Sequence, residues 1–248
     1  MTAAGRLRIA GRVTKVVAVL LFCLTGYGIA RLSGTGERWV PRFLGLAARA
    51  FGARVSIVGR PIPRDVLIVA NHLSWMDILV LGGASGAAFV SKDSVAHWPV
   101  VGWLARIGGT IFIRRESRAA ARGQADALGD ALRTGRPAAF FPEGTTGDGI
   151  ALAPFRASLF ASVAPPPPGI RVQPVAIDYG HAARDIAWKD GESALANAAR
   201  LIARPGTLAV RLHFLDPIDP ALLGDRKAIA AAAHSAIAAT LPHDRILG

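Results

Sequence analysis

The sequence predicts an α/β domain built on a largely buried sheet flanked by helices, behind an N-terminal helical segment that binds a membrane. Three features carry this. Short β-branched and apolar runs alternate with Ala-rich helical stretches along most of the chain. The strand-like runs are apolar on consecutive residues, as in Val66-Leu67-Ile68-Val69-Ala70, which suits strands covered on both faces. The first 52 residues combine basic side chains with apolar runs and lack this alternation. No internal repeat is visible.

Taken in order, Arg6, Arg8, Arg12 and Lys15 precede an uncharged, mostly apolar run over 16–30. That run is shorter than the roughly 20 residues that span a bilayer. Apolar character resumes at Trp39-Val40-Pro41-Arg42-Phe43-Leu44. Two membrane-inserting helices are expected, over about 8–31 and 38–52, lying in one leaflet or forming a hairpin with basic residues at the headgroups. A single tilted span is the second reading. A cleaved signal is the third, opposed by the poor cleavage site at Thr25-Gly26-Tyr27-Gly28-Ile29-Ala30. Residues 1–52 are thus read as a membrane-associating segment and 53–248 as the α/β domain.

Strands are expected at Arg54–Val58, Val66–Ala70, Ala87–Ser91, Thr110–Arg114, Ala138–Phe141, Arg171–Ile177 and Leu208–Phe214. Helices are expected at Trp75–Leu81, Val100–Arg106, Arg118–Arg133, Pro154–Ala161, Ser193–Ala203 and Arg226–Thr240. Pro165-Pro166-Pro167-Pro168-Gly169 reads as a stiff connector into the Arg171 strand. Pro174, inside that strand, implies a bulge or an edge position.

Composition narrows the partners. The chain has 248 residues, 52% of them hydrophobic, with a mean hydropathy of +0.36. That is rich for a soluble enzyme and lean for a polytopic membrane protein. A single Cys23 excludes an internal disulfide framework. Net charge is +12, nearly all from Arg. Such charge suits anionic lipid or an acidic carrier protein. Nucleic acid is disfavoured, because no helix-turn-helix, zinc-finger or RNA-binding signature is present. His97, His181, His213, His234 and His243 have no spaced partners, so no metal site is expected.

The chemistry-bearing residues fall in four blocks. In Asn71-His72-Leu73-Ser74-Trp75-Met76-Asp77, a His with a carboxylate five residues on is a candidate base and its orienter. On a continuous helix the two would point about 140° apart. With the helix starting at Ser74, His72 stays in the loop and its ring folds back over the first turn. Ser74 and Asp77 also make an Asp version of a capping box, which is compatible with that role. Asn71 reads as a loop-shaping residue bonded to nearby backbone. Gly109-Thr110-Ile111-Phe112-Ile113-Arg114-Arg115 is a strand ending in two arginines, whose guanidinium forks suit a phosphate. Phe141-Pro142-Glu143-Gly144-Thr145 places Glu143 at a strand's C-terminal end, where open α/β sheets hold ligands, and Gly144 allows close backbone approach. The fourth block is Val172-Gln173-Pro174-Val175-Ala176-Ile177. Lys92, at the end of the third strand, is a candidate oxyanion stabiliser. No Gly-x-Ser-x-Gly elbow is present, so a serine nucleophile is not expected.

In this order the four blocks resemble those of the glycerolipid acyltransferases, over roughly residues 60 to 180. The resemblance implies a mixed sheet of the glycerol-3-phosphate acyltransferase-like kind. It implies transfer of a fatty acyl group from a thioester to the hydroxyl of 1-acyl-glycerol-3-phosphate, giving phosphatidate. Acyl carrier protein or coenzyme A would carry the acyl group as co-substrate, with no bound cofactor or metal. His72 and Asp77 would be catalytic, and Arg115, Glu143, Gly144, Thr145 and Lys92 would bind substrate. The catalytic domain would lie at the cytoplasmic face of a bacterial inner membrane. Two departures are visible. Arg114 stands where relatives often carry an acidic residue. Thr146-Gly147-Asp148-Gly149 followed by Pro154-Phe155-Arg156 is closer to relatives that acylate lyso-ornithine lipid. That acceptor is the alternative, and a non-catalytic lipid-binding protein of the same fold is the second.

Overall fold

A computed structural model describes residues 2–113, 128–189 and 191–242. Seven strands form one sheet: Ala53–Gly59 (β1), Val66–Ala70 (β2), Ala88–Lys92 (β3), Ile111–Ile113 (β4), Ala138–Phe140 (β5), Arg171–Asp178 (β6) and Leu208–Phe214 (β7). Their order is β1-β7-β6-β2-β5-β3-β4. Every neighbouring pair is parallel except β6 and β7, so the sheet is mixed. β2 to β6 share one direction, and their C-terminal ends therefore line a single edge. Each strand expected from the sequence is present.

The central strands are covered on both sides. Val66, Ile68 and Ala70 of β2 pack with Met76, Val80 and Leu81 on one face. Leu67 and Val69 pack on the other with Phe140, Phe160, Ile229 and Ala233. β7 alternates buried and exposed residues, and β1 buries only Ala53, as expected for a strand at the open edge. Helix Arg226–Thr240 is capped by Asp225, whose carboxylate accepts from Lys227 N and Ala228 N.

Pro174 meets the expected bulge and takes no edge position. Pro174 lies in an interior strand, paired with Val69 of β2. On its other side, two residues separate Val172 from Val175, but three separate their partners Ile218 and Phe214. The surplus residue bulges opposite the proline, where no N–H is available to bond. Pro154–Arg156 is not helical; a 3-10 helix runs from Ala157 to Val163 instead. Arg156 N donates to Pro142 O at 2.9 Å, which ties this stretch to the end of β5. Most of the expected helix Arg118–Arg133 falls outside the described residues; 128–133 is helical.

The N-terminal segment forms helices Ala3–Arg31 (α1) and Trp39–Ala50 (α2). α1 has 29 residues, roughly 43 Å of helix, against a hydrocarbon core of about 30 Å. By length and composition it is a candidate membrane segment, with little of its apolar stretch buried. Not all its basic residues are free for headgroups. Arg8 Nε donates to Ala203 O at 2.8 Å. Arg12 donates to the carbonyls of Ile202, Arg204 and Gly206 at 2.7–2.9 Å. These carbonyls lie at and just past the end of helix Ala194–Ala203, where the backbone leaves acceptors unpaired and the dipole favours cations. Arg6 and Lys15 are exposed.

α2 lies against helix Met76–Ser85 (α3), the helix that carries Asp77. The crossing is backbone to backbone: a Cβ on Gly83 would sit 2.6 Å from the Cα and N of Gly45. No side chain can rotate to relieve that contact. Gly83→Ala is expected to destabilise the protein by about 1–3 kcal/mol, the usual cost of overpacking. The check is a lower thermal midpoint in detergent; an unchanged midpoint would mean that the helices separate freely.

Candidate active site

The four blocks meet at the C-terminal edge of the sheet. β2 ends at Ala70 and delivers Asn71 and His72, and β5 ends at Phe140 and delivers Phe141 to Thr145. β3 ends at Lys92 and β6 at Asp178, followed by Tyr179. β4 ends at Ile113; Arg114 and Arg115 lie outside the described residues, as does the side chain of Lys92.

α3 starts at Met76, which leaves His72 in the loop. Its Nδ1 lies 2.8 Å from Asp77 Oδ2. The same oxygen accepts the backbone N–H groups of Leu73 at 2.6 Å and Ser74 at 2.8 Å. Ser74 Oγ in turn accepts from Met76 N at 3.2 Å, so Ser74 and Asp77 cap the helix reciprocally. Asp77 Oδ1 accepts from Tyr179 OH at 2.6 Å. Asp77 is completely buried, so every donor it has is supplied by the protein. Donors converging on both oxygens suit an acceptor-only carboxylate. Nδ1 then carries the imidazole proton, and Nε2 is left with a free lone pair.

The ring plane is fixed from a second direction. His72 stacks on Phe141 with centroids 3.9 Å apart and 8° between planes. Phe141 is stacked in turn on Phe89 at 5.9 Å. The imidazole is partly exposed, which leaves Nε2 reachable. Asn71 bonds backbone that is far away in sequence: its Nδ2 donates to Ile177 O at 3.0 Å and its Oδ1 accepts from Ile177 N at 2.7 Å. It thereby clamps the end of β2 to β6 and does not shape only its own loop.

Glu143 is buried beneath the loop. Its Oε1 accepts from His72 N at 2.6 Å and its Oε2 from Ala153 N at 3.2 Å. Both oxygens thus hold backbone, and the first fixes the residue that bears the imidazole. Gly144 has φ of 76°, in the left-handed region, and a Cβ there would lie 2.8 Å from Arg156 Nε. Only glycine lets that guanidinium approach. Thr145 is exposed.

Burial raises the Glu143 carboxyl to about 7, against the two N–H bonds that pull the other way. The ordinary value in an unfolded chain is 4.5. The folded protein therefore holds the Glu143 proton more tightly. Stability from this group is fully present below pH 4.5 and is lost as pH rises through about 7. The loss is on the order of 3 kcal/mol. Glu143→Gln cannot titrate, so its midpoint should fall less than wild type between pH 5 and pH 8. Thermal unfolding of both proteins at the two pH values is the check, and parallel profiles would place the Glu143 titration elsewhere.

A cleft of about 790 Å³, whose lining includes neither member of the pair, is bordered in part by Asp178, Tyr179, His181, Arg184, Arg204 and Arg211. Tyr179 belongs to both, since its hydroxyl reaches Asp77.

A family model described as Acyltransferase matches residues 54–178, from β1 to the end of β6. The chain belongs to the acyltransferase family. It is 37% identical over 253 aligned residues to the lyso-ornithine lipid O-acyltransferase of Rhodobacter capsulatus, covering 95% of this chain and 91% of that protein. A lyso-ornithine lipid O-acyltransferase of Brucella abortus is 32% identical, with 96% and 95% covered. A 1-acyl-sn-glycerol-3-phosphate acyltransferase of Neisseria gonorrhoeae is 38% identical over 49% of this chain and 48% of that protein. The fold is shared with the crystal structure of the 1-acyl-sn-glycerophosphate (LPA) acyltransferase PlsC from Thermotoga maritima. That match has a TM-score of 0.71 and 23% identity, and covers 94% of this chain and 92% of that chain.

The site of this acyltransferase also holds residues that the sequence does not single out. Tyr179 follows the fourth block by two residues, and only the return of β6 beside β2 brings it to Asp77. Phe141 was legible only as the aromatic that opens the third block. The described residues contain no cluster of ligands that could hold a metal ion.

Proposed function

We propose that the protein acylates the free hydroxyl of lyso-ornithine lipid, using an acyl thioester as donor. The observation that carries this is the extent of the similarity. Relatives bearing that name are 32–37% identical along nearly the whole chain, whereas the 1-acyl-sn-glycerol-3-phosphate acyltransferase of Neisseria reaches 38% over only about half of it. The loop Thr146-Gly147-Asp148-Gly149 supports the same choice. Sequence alone ranks 1-acyl-glycerol-3-phosphate first, on the strength of Arg115. It remains the second reading, favoured by the name of the Neisseria relative.

His72 Nε2 takes the proton of the acceptor hydroxyl as its oxygen attacks the thioester carbonyl. The tetrahedral intermediate collapses, the C–S bond breaks, and the leaving thiolate recovers the proton from Nε2. Asp77 holds the tautomer and offsets the transient imidazolium charge. Lys92 is the candidate oxyanion partner, and Arg115, Gly144 and Thr145 the candidate acceptor contacts. Glu143 acts by positioning the backbone of His72. The donors, acyl carrier protein or a coenzyme A thioester, are anionic and cytosolic. They suit the Arg184, Arg204 and Arg211 side of the cleft, and cytosolic donors favour a catalytic domain at the inner face of the membrane.

The test is kcat/KM for lyso-ornithine lipid and for 1-acyl-glycerol-3-phosphate, with each donor. A clear preference for lyso-ornithine lipid is expected. Preference for the phosphate-bearing acceptor, lost in Arg115→Ala, would replace the first reading by the second. A charge-assisted Arg contact contributes roughly 1.5–3 kcal/mol, so that loss would be about tenfold or more in KM.

A further inference from the structure

Residues 93–108 leave the catalytic edge after β3 and run through a 3-10 turn, Asp93–His97, into helix Val101–Ile107 (α4). From Ser94 to Ala105 this stretch carries no Asp, Glu, Lys or Arg. Its apolar side chains point out of the fold: Trp98 is 44% exposed, Val100 60%, Val101 48% and Trp103 48%. A large exposed apolar cluster in one short segment calls for a partner. The display is built into the backbone. Val100 adopts φ of 63°, a conformation that β-branched residues avoid, which marks the turn as a candidate functional feature. The turn is nevertheless closed: Gly102 N donates to Trp98 O at 2.9 Å and Leu104 N to Val100 O at 2.8 Å. Arg106 donates to Ala96 O at 2.9 Å from the far end.

The neighbourhood says which partner. α4 ends beside α2, where a Cβ on Gly108 would lie 3.5 Å from Val40. Arg136 and Glu37, at the α1–α2 turn, pair at 3.6 Å nearby. The cluster therefore adjoins the candidate membrane segment, whose own exposed residues include Leu21, Phe22, Ile29 and Leu32. Tryptophan is the side chain that favours the bilayer interface, with its apolar ring in the acyl region and its N–H near the headgroups.

We infer that Trp98, Val100, Val101 and Trp103 form a second lipid-contacting surface that, with α1 and α2, seats the catalytic edge on the bilayer. The root of this segment is Lys92, so the contact brings the membrane to the edge that carries His72. The inference stands whichever lysolipid is the acceptor.

The experiment uses the full chain with Cys23→Ser and one new cysteine at a time: Val101→Cys, Leu21→Cys on α1, or Leu222→Cys, which is 84% exposed on another part of the domain. Each is given a nitroxide label and bound to vesicles of phosphatidylethanolamine and phosphatidylglycerol. Collisions with oxygen and with a water-soluble nickel chelate report depth. The Val101 label should lose nickel collisions and gain oxygen collisions on vesicle binding, while the Leu222 label keeps its aqueous values. A Val101 label as accessible to nickel as the Leu222 label overturns the inference, whether or not Leu21 enters lipid. A buried Val101 label with an aqueous Leu21 label would support it and refute the anchoring role of α1.

Discussion

His72→Ala is expected to lower kcat by about 10²–10⁴-fold, the usual cost of removing a general base, with the fold intact. The substitution is clean because of how the residue is held. Its N–H bonds Glu143 Oε1 at 2.6 Å and its carbonyl accepts from Gly147 N at 2.7 Å, and alanine keeps both. Asp77 still receives Leu73 N, Ser74 N and Tyr179 OH. What disappears is the imidazole and its stack on Phe141. The loss should therefore fall on turnover and leave the thermal midpoint near that of wild type. A folded His72→Ala protein with near-wild-type turnover would exclude His72 as the base, and with it direct attack by the acceptor hydroxyl through Nε2.

The strands were legible because their burial leaves a strong trace. β2 is buried at all of its residues, and β6 at all but its first. Runs such as Val66–Ala70 leave little choice of structure in a chain that is otherwise rich in Ala and Arg. The catalytic block was legible for a different reason. Asp77 does several jobs within one turn of backbone, as cap and as partner of His72, so local spacing alone constrains it.

Interactions that depend on topology left no such trace. Asn71 bonds Ile177 and Tyr179 bonds Asp77 across separations of 106 and 102 residues. Nothing in either neighbourhood announces the other. Arg8 and Arg12 read as headgroup contacts because basic residues before an apolar run usually are. The carbonyls they bond lie at and just past the end of a helix 190 or more residues on. Pro174 implied a bulge, and the bulge lies in the facing segment, which spares β6 an edge position. Glu143 read as an acceptor contact from its place at a strand end. Its carboxylate oxygens are turned onto backbone N–H groups, a role that any strand-end Glu could have and that sequence cannot separate from ligand binding.

Asp77→Asn is expected to reduce kcat by about 10²–10³-fold while preserving the fold, whereas Asp77→Ala is expected to compromise folding itself. The difference follows from the donors. An asparagine that places its amide nitrogen at the Oδ1 position can donate to Tyr179 OH, which turns to accept. The remaining amide oxygen then keeps His72 Nδ1, Leu73 N and Ser74 N. Each of the four groups keeps a hydrogen bond to residue 77, and the tautomer of His72 is preserved. The negative charge that offsets the imidazolium is what goes, so the effect appears in turnover more than in acceptor KM. Alanine removes the acceptor from all four donors in a completely buried site. Each donor left unsatisfied costs about 1–3 kcal/mol, which together approach the whole stability of a domain. Thermal midpoints and kcat for the two variants in the same detergent separate these effects. Asp77→Asn with wild-type kcat would show that the charge has no part in the reaction, and would reduce Asp77 to a helix cap.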